Sequence, residues 1–270
     1  MIRLKNILIV LVILVIVITA LVFTIVKFGN DIAVAVSGST LSNKKMGWGV
    51  KRNKNQVQPD LGKYKQIIDK YDGIAMGNPN DKIVYLTFDA GYEAGYTPQI
   101  LDVLKENNVK ATFFITAYYL DSKPELVKRM LDEGHIVGNH TVNHYSLPDI
   151  SDDKIKKEIQ DLHVAIYDKF GYEMKYFRPP KGEFSERTLE ITRSLGYTSV
   201  MWSLAYDDYT DSAKAKGDDY AKSMILNNIH PGAVILLHST SKINADVLDY
   251  CIKEIKNMGY EFKNIDEFVK

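Results

Sequence analysis

Short apolar runs alternate with amphipathic stretches over most of the chain. The runs are apolar on both faces, which is typical of strands buried in a parallel sheet, and we predict strands at residues 82–88, 111–117, 136–140, 176–178, 198–203, 233–238 and 261–265. The stretches have helical spacing, and we predict helices at residues 63–71, 97–107, 123–133, 151–170, 185–195, 219–228 and 244–258. About seven βα units indicate an α/β fold with a parallel sheet, and that many units usually close into a barrel.

An uninterrupted apolar run without charged side chains occupies residues 7–26. About twenty helical residues rise about 30 Å, the thickness of the hydrocarbon core of a bilayer, so the run predicts a transmembrane helix. Arg3 and Lys5 precede it, and positive residues favour the cytoplasm, so we expect a membrane-anchored protein on the extracytoplasmic face. The alternative is a cleaved signal, with small residues at 33–35 as the cleavage site and a mature chain starting near Ser37.

A polar segment separates this run from the alternating body. We predict an anchor or signal at residues 1–28, a linker and approach to the domain at 29–80, and one folded domain at 81–270. The linker is rich in Ser, Asn and Lys and has few periodic apolar positions, as a tether would. The surroundings of Trp48 could instead dock onto the domain, because a lone tryptophan seldom stays in solvent.

Composition narrows the class of partner. Acidic and basic residues balance at 34 each, so no strong electrostatic field favours nucleic acid, and we expect no nucleic-acid partner. The single cysteine, Cys251, excludes an internal disulfide and lies in a partly apolar helical pattern, so we expect it in the core. We expect the protein to be a monomer.

Polar side chains follow the predicted strands at the points where these end. They are Asp89, His140, His144, Arg178, Lys181, Asp207, Asp208 and His238. Since active sites of parallel α/β folds are built at the carboxyl ends of the strands, these residues should converge there. Asp89 taken alone is better explained as a helix-capping or turn aspartate, which is common after strands. The joint arrangement is hard to explain by packing and indicates an active site.

Two histidines in this set have the spacing of a metal pair. His140 and His144 are four residues apart, so on a helical turn both imidazoles would face one way and could share an ion. Histidines at this spacing also occur by chance, and both interpretations stay open on this pattern alone. His135, His163 and His230 fall elsewhere in the pattern, and we interpret them as structural or surface residues.

Five motifs follow one another along the chain: Thr87-Phe88-Asp89, His140-x-x-x-His144, Arg178-Pro179-Pro180, Trp202-Ser203 and Leu236-Leu237-His238. Together they resemble the polysaccharide deacetylases of carbohydrate esterase family 4, the NodB-homology domain, over roughly residues 82–270. Finer motifs resemble the sporulation N-acetylmuramic acid deacetylases, which prepare muramic δ-lactam in spore cortex. These motifs are Phe88-Asp89-x-Gly91-Tyr92-Glu93, Arg178-Pro179-Pro180-Lys181-Gly182, Phe184-Ser185-Glu186-Arg187-Thr188 and the Trp48-Gly49 segment ahead of the domain. The resemblance implies a distorted (β/α)7–8 barrel.

The resemblance also implies how an acetamide would be hydrolysed. Asp89 would be the base that takes a proton from water, and Arg178 would hold this carboxylate by a two-point hydrogen bond. His238 would be the acid that protonates the departing amine. His140 and His144 would hold a divalent, zinc-like metal ion, which polarises the acetyl oxygen and the water. Substrate contacts are expected from a further set, namely Lys181, Tyr92, Trp202 and Asp208.

One departure from the family pattern concerns the metal. The usual third ligand is an aspartate directly after the base, and this chain has Ala90 there, which cannot ligate an ion. Two histidines alone make a weak site for a divalent ion. The ion is therefore held by two histidines plus waters or a remote carboxylate, or catalysis proceeds without a tightly bound metal.

The function we expect is the removal of acetyl from N-acetylmuramic acid in peptidoglycan glycan strands, with spore cortex as the site of action. One alternative is a deacetylase of N-acetylglucosamine in peptidoglycan or chitin-like oligomers. The other is a glycan-binding protein that lost catalysis with its metal aspartate. The presence of Asp89, Arg178 and His238 argues against the second alternative, because a binding module needs neither base nor acid.

Overall fold

The computed structural model describes residues 41–53 and 55–268. The strands in this part, in chain order, are Met46–Gly47 (β1), Ile83–Ala90 (β2), Thr112–Ile115 (β3), Ile136–Asn139 (β4), Tyr176–Phe177 (β5), Glu183–Phe184 (β6), Thr198–Ser199 (β7), Ala233–His238 (β8) and Glu261–Phe262 (β9). The α-helices are Gly62–Lys70 (α1), Thr97–Glu106 (α2), Ala117–Ser122 (α3), Pro124–Asp132 (α4), Asp152–Phe170 (α5), Glu186–Ser194 (α6), Asp211–Leu226 (α7) and Lys242–Asn257 (α8).

A seven-stranded parallel sheet organises the fold. Its strand order is β7-β5-β4-β3-β2-β8, and β9 pairs with the start of β2. The central strand β2 pairs with β3 and β8, and every residue of β2 after Ile83 is buried. The runs that are apolar on both faces are thus the strands covered by helices, and the predicted α/β fold with a parallel sheet is confirmed.

The two ends of this sheet are linked by the chain that follows β7. There the Ser203 amide donates to the Val234 carbonyl at 2.9 Å, and the Leu236 amide donates to the Leu204 carbonyl at 2.9 Å. These contacts form a single bridge between Leu204 and Ile235 rather than a further strand. The predicted barrel is therefore present as a half-barrel that this isolated bridge partly closes.

Capping residues account for where several helices begin and end. Ser151 accepts the Lys154 amide at the start of α5, and Gly171 ends that helix in the left-handed conformation with φ of 63°. Helix α7 begins at Asp211, eight residues before the predicted start, because Thr210 caps it and Gly217 (φ 73°) allows a kink inside it. The short helix α3 escaped prediction because it is too brief to show a period.

The segment before α1 packs on the domain. Strand β1 pairs antiparallel with β6, and Trp48 is 9% exposed. The Trp48 indole N–H donates to the Trp202 carbonyl at 2.8 Å. These residues therefore dock onto the domain, as the alternative interpretation predicted, and do not form a free tether.

Two further expectations concern burial and the membrane. Cys251 lies buried in α8, as expected, and burial raises the pKa of its thiol to about 12. The predicted transmembrane run, residues 7–26, lies outside the described residues. None of the helices between residues 41 and 268, residue 54 aside, combines the length and hydrophobicity that crossing a bilayer requires.

Candidate active site

The residues expected to act as base and acid lie side by side at the carboxyl end of the sheet. Asp89 on β2 and His238 on β8 are register partners in the parallel ladder. Neighbouring strands are about 4.8 Å apart, and register partners point to the same face of a sheet. Both side chains line the same two cavities on the surface of the protein. The fold thus brings together two groups that are far apart in the sequence.

Arg178 fixes the position of the Asp89 carboxylate from below the site. It follows β5 and is fully buried. Its Nη1 donates to Asp89 Oδ1 at 2.8 Å, while Nε and Nη2 donate to the carbonyls of Val200 and Met201 at 3.0 and 3.2 Å. The expected two-point hydrogen bond to Asp89 is therefore wrong, because the remaining guanidinium donors hold backbone carbonyls. Three hydrogen-bond acceptors hold the Arg178 guanidinium in place, and the second carboxylate oxygen of Asp89, Oδ2, remains accessible from the cleft.

The charges around Asp89 keep it ionised. Burial by itself would raise the pKa of this carboxyl, but the positive charges of Arg178 and His238 hold the pKa below its ordinary value. Asp89 Oδ2 lies 3.5 Å from His140 Nε2. The carboxylate is thus present in the form that accepts a proton.

A buried aspartate holds His238. Asp208 Oδ1 accepts from His238 Nδ1 at 2.7 Å, and Asp208 Oδ2 accepts the backbone N–H of His238 at 2.7 Å. Asn244 of α8 also donates its side-chain amide to Asp208 Oδ2. Burial by itself would lower the pKa of His238, but the hydrogen bond and charge of Asp208 raise it above the ordinary value. The imidazolium is therefore favoured, with Nε2 as its free donor.

The position of Asp208 corrects one expectation. This residue was expected to contact substrate, but it is fully buried and lines neither cavity. It can act on a substrate only by orienting and charging His238. Asn244, which completes the hydrogen bonds of this carboxylate, escaped sequence analysis because an asparagine near a helix start carries no pattern.

His140 and His144 lie in a loop after β4 and not on a helical turn. Thr141 and His144 adopt left-handed backbone conformations, with φ of 69° and 56°, which turn the loop back on itself. The Nε2 atoms of the two imidazoles lie 3.2 Å apart. Two nitrogens that each lie 2.0–2.1 Å from a tetrahedral zinc ion are about 3.3 Å apart. The pair therefore fits two ligand positions of one ion.

The tautomer of His140 also suits a metal ligand. Its Nδ1 lies 2.8 Å from the Arg178 carbonyl, which can only accept, so Nδ1 carries the proton and Nε2 keeps its lone pair. Burial lowers the pKa of His140, and burial together with the neighbouring His140 lowers the pKa of His144 to about 4. Both imidazoles are thus neutral, which is the form that binds a metal.

A third protein ligand is not apparent beside this pair. Ala90 is fully buried on β2 and offers only a methyl group. Across residues 41–53 and 55–268, no group of three or more His, Cys, Asp or Glu residues is placed to hold a metal ion. The donor set fits a divalent ion held by two imidazoles, with its other positions filled by water or substrate.

Two cavities adjoin the pair formed by Asp89 and His238. They have volumes of about 610 and 670 Å³ and share Asp89, His144, Tyr209 and His238 as walls. The first is completed by residues that include Arg52, Lys181, Trp202, Ala205 and Asp207. The second is completed by residues that include Tyr92, Thr116, Tyr118, Val142, Asn143 and Thr240. We call them the cationic half and the aromatic half of the cleft.

The expected substrate contacts divide between these halves. Lys181 and Trp202 line the cationic half, and Tyr92, which is 55% exposed, lines the aromatic half. Sequence analysis missed Arg52, because it lies in the segment interpreted as a linker. It also missed Tyr118, which has an exposed ring and lies in the first turn of a helix too short to predict.

The other histidines lie away from the cleft. His163 Nδ1 is 2.6 Å from the Tyr197 hydroxyl, and His135 Nδ1 accepts the Ala111 amide at 3.1 Å. His230 is buried in the turn before β8. All three have the structural or surface positions that were expected.

Comparison with known proteins identifies the family. The sequence model described as "Polysaccharide deacetylase" matches residues 76–200. The chain is 43% identical over 237 residues to "Peptidoglycan-N-acetylmuramic acid deacetylase PdaA" of Bacillus subtilis (strain 168), which covers 87% of this chain and 90% of PdaA. The chain belongs to the polysaccharide deacetylase family. It is a hydrolase of N-acetyl amide bonds, in a family whose members are metal-dependent in general.

Solved structures and further relatives agree with this membership. The structure of Bacillus subtilis PdaA, a family 4 carbohydrate esterase, matches with a TM-score of 0.81 and covers 84% of this chain and 98% of that one. A peptidoglycan-N-acetylglucosamine deacetylase of Bacillus cereus is 36% identical over 199 residues, 72% of this chain and 71% of that protein. BA3943 of Bacillus anthracis, described as a CE4 family pseudoenzyme, matches with 30% identity and a TM-score of 0.68, over 73% of this chain and 69% of that one.

Proposed function

We propose that this polysaccharide deacetylase removes the acetyl group from N-acetylmuramic acid in peptidoglycan glycan strands. The observation that carries the proposal is the presence of Lys181 in the cavity that holds Asp89 and His238. Muramic acid differs from glucosamine by a lactyl ether, which bears a carboxylate when no peptide is attached. A cation next to the reacting amide suits that group.

The geometry supports hydrolysis through a base and an acid. Asp89 takes a proton from a water molecule whose oxygen attacks the acetyl carbon, giving a tetrahedral intermediate. His238, charged through Asp208, gives its Nε2 proton to the nitrogen as the C–N bond breaks. The products are acetate and a free amine. A divalent ion held by His140 and His144 would supply polarisation of the acetyl carbonyl and of the water.

The same geometry supports catalysis over glycan binding alone. A related chain of this family is described as a pseudoenzyme, so the fold does not by itself imply turnover. Here Arg178 orients Asp89, and Asp208 orients and charges His238. A glycan-binding surface would need neither of these two buried pairs.

The backbone around Lys181 supports its role in recognising muramic acid. Lys181 is a non-glycine residue in the left-handed conformation, with φ of 61°, and it directly follows Pro179 and Pro180. A Cβ at Gly182 would lie 2.8 Å from the Trp202 ring, so the chain is packed tightly there. Strained backbone of this kind persists where its surroundings hold it, and here it fixes the direction of the Lys181 side chain.

The extent of the similarity adds support for muramic acid over glucosamine. The match to PdaA spans 87% of this chain, so it necessarily includes the segment 42–60 that docks on the domain. The match to the N-acetylglucosamine deacetylase spans 72% and can omit it. The alternative, a deacetylase of N-acetylglucosamine, would not need the cationic half of the cleft, since that sugar carries no charge.

We further propose where the protein acts. The apolar run at residues 7–26, with Arg3 and Lys5 before it, supports an anchor that leaves the catalytic domain outside the cytoplasm. We also propose that spore cortex is the substrate. The amine that deacetylation frees lies next to the lactyl carboxylate, and their condensation would give muramic δ-lactam.

One experiment tests the proposed function. The full-length protein is incubated with peptide-free glycan strands, and the products are analysed by mass. We expect loss of acetyl from muramic acid residues and release of acetate. Loss from glucosamine residues alone would support the alternative, and strands that bind without losing acetyl would support a glycan-binding protein.

A further inference from the structure

We propose that Arg52 and Lys181 together form a carboxylate-binding subsite in the cationic half of the cleft. This subsite takes the free lactyl carboxylate of the muramic acid residue that is being deacetylated. The proposal rests on the proposed function and adds to it a residue from outside the part of the chain that the family model matches, residues 76–200.

Arg52 reaches the cleft because its segment is fixed on the domain. The pairing of β1 with β6 and the hydrogen bond from the Trp48 indole to the Trp202 carbonyl hold the segment on one side. A backbone bridge between Lys51 and Asp60 closes it on the other. Arg52 Nη2 donates to the Ala205 carbonyl at 2.7 Å. The guanidinium is therefore attached to the wall of the cavity.

Both cations have donors to spare. Within residues 41–53 and 55–268, no carboxylate lies within ion-pair distance of Arg52 or Lys181. Asp149 interacts with the charge of Lys181 only at longer range, and its ion-pair partner is Lys45. After its bond to Ala205, Arg52 keeps further N–H groups in the planar arrangement that matches a carboxylate. An anion in this cavity would meet two cations that have no carboxylate of their own.

The carboxylates in the same cavity do not cancel this charge. Asp89 is paired with the buried Arg178. Asp207 accepts the Tyr220 hydroxyl at 2.7 Å and lies beside the Thr210 hydroxyl, so its oxygens are directed to neighbours. Of the charged groups that line the cationic half, Arg52 and Lys181 have no ion-pair partner among the described residues, Asp89 is neutralised by Arg178, and Asp207 is hydrogen-bonded to hydroxyl groups. No lysine or arginine from the described part of the chain lines the aromatic half.

This asymmetry distinguishes the sugars of a peptidoglycan strand. A muramic acid residue without its peptide has one carboxylate close to its acetamido group, and glucosamine has none. When the peptide is attached, the lactyl carboxyl group forms an amide bond with it and carries no charge. The subsite therefore predicts a preference for peptide-free muramic acid, with the uncharged neighbouring sugar on the side of Tyr92 and Tyr118.

The test compares two substrates that differ only in this charge. Peptide-free strands are used as they are or after conversion of the lactyl carboxylates to amides. Acetate release by the full-length protein gives kcat/KM for wild type, Arg52→Gln, Arg52→Lys and the matched control Lys51→Gln, at low and high salt. We expect Arg52→Gln to lose about fivefold on the carboxylate strands, mainly through KM, and nothing on the amidated strands. Arg52→Lys should lose less, and Lys51→Gln should match wild type.

Two results would overturn the subsite. An equal loss on both substrates would show that Arg52 only supports the cavity wall at Ala205, and no loss on either would show that it takes no part. The affinity of the two strands for the full-length protein separates this question from the proposed function. If wild type released no acetate from muramic acid, the proposed function would be wrong. The subsite would still be supported if wild type bound the carboxylate strands more tightly than the amidated strands and Arg52→Gln removed this difference. Equal affinity of wild type for the two strands would refute the subsite.

Discussion

Asp89 and His238 lie side by side as register partners on adjacent parallel strands, so the spacing of the proposed base and acid is set by the hydrogen bonds of the sheet. Each is also tied to a buried partner of opposite charge, Asp89 to Arg178 and His238 to Asp208. Arg178 favours the ionised carboxylate of Asp89, and Asp208 favours the protonated imidazolium of His238, so a base and an acid lie next to each other. That combination is what acid–base hydrolysis of an amide requires.

Replacement of Asp89 by asparagine should abolish turnover and leave the domain folded. The amide can still accept the hydrogen bond from Arg178 Nη1 but cannot take a proton from water, so we expect a loss of about 10²-fold or more in kcat. Acetate release measures the activity, and circular dichroism checks the fold. Activity near that of wild type would remove Asp89 from the role of base.

Replacement of Asp208 by asparagine should shift the alkaline limb of the pH–rate profile to lower pH. Asp208 raises the pKa of His238, so without this charge His238 loses its proton at a lower pH and stops acting as an acid earlier. The rate at low pH should fall less than the rate at neutral pH. A uniform loss at all pH values, with no shift of the limb, would reduce Asp208 to a purely structural role.

The same pair gives a signed prediction for stability. The folded pKa of His238 lies above its unfolded value, so the coupling to Asp208 stabilises the fold fully below pH about 6.5 and is lost as the pH rises through the folded pKa. Denaturant unfolding at several pH values should therefore show a smaller difference between wild type and Asp208→Asn at high pH than at pH 6. A difference that grows with pH would contradict this coupling.

The described fold and site show which features the sequence can predict. The strands can be predicted because their residues are apolar on both faces. The place of Asp89 at the edge of the sheet can be predicted because it comes at the end of such a strand. The loop of His140 and His144 is not readable, since it depends on left-handed conformations at Thr141 and His144 that apolar periodicity does not record.

Contacts between distant residues explain the other differences. Whether Asp208 faces the substrate or supports His238 depends on the packing of β8 against the loop before α7, and no local pattern encodes that. Arg52 lies in a polar stretch whose composition is typical of a linker, although Trp48 a few residues earlier indicates docking. The roles of the site residues stay predictions until variants are measured.

Metal binding should be weak and should strengthen on replacement of Ala90 by aspartate. Two neutral imidazoles hold a divalent cation less firmly than a set with a carboxylate, and Ala90 occupies the position after the base. The purified protein should lose most of its metal on brief chelation, and Ala90→Asp should retain it longer; His144→Ala is the control that should lose it fastest. Stoichiometric zinc that survives prolonged chelation in wild type would contradict this prediction.

The protein should stay with the membrane fraction through residues 7–26. Fractionation of cells, followed by amino-terminal sequencing of the recovered protein, measures this directly. A deletion of residues 1–28 is the control and should release the protein. Recovery of the native protein in soluble form, with an amino terminus near Ser37, would favour the cleaved signal.

Replacement of Lys181 by methionine should weaken discrimination between sugars and preserve the chemistry. Lys181 is exposed, lines the cationic half of the cleft and is aimed by a backbone with φ of 61°. A partly exposed ion pair with the lactyl carboxylate is worth on the order of 1 kcal/mol, which corresponds to about fivefold in kcat/KM. The loss should disappear at high salt, because salt screens an exposed pair.

The measurement compares acetate release from peptide-free muramic acid strands and from uncharged N-acetylglucosamine oligomers at low and high salt. Lys44→Met, a change of the same kind at an exposed lysine outside both cavities, is the matched control and should behave as wild type. Methionine keeps most of the length of the side chain, so a selective loss on the muramic acid strands would be assigned to the charge. Equal rates for wild type and Lys181→Met on those strands, with the same salt dependence, would leave Lys181 as an ordinary residue of the loop.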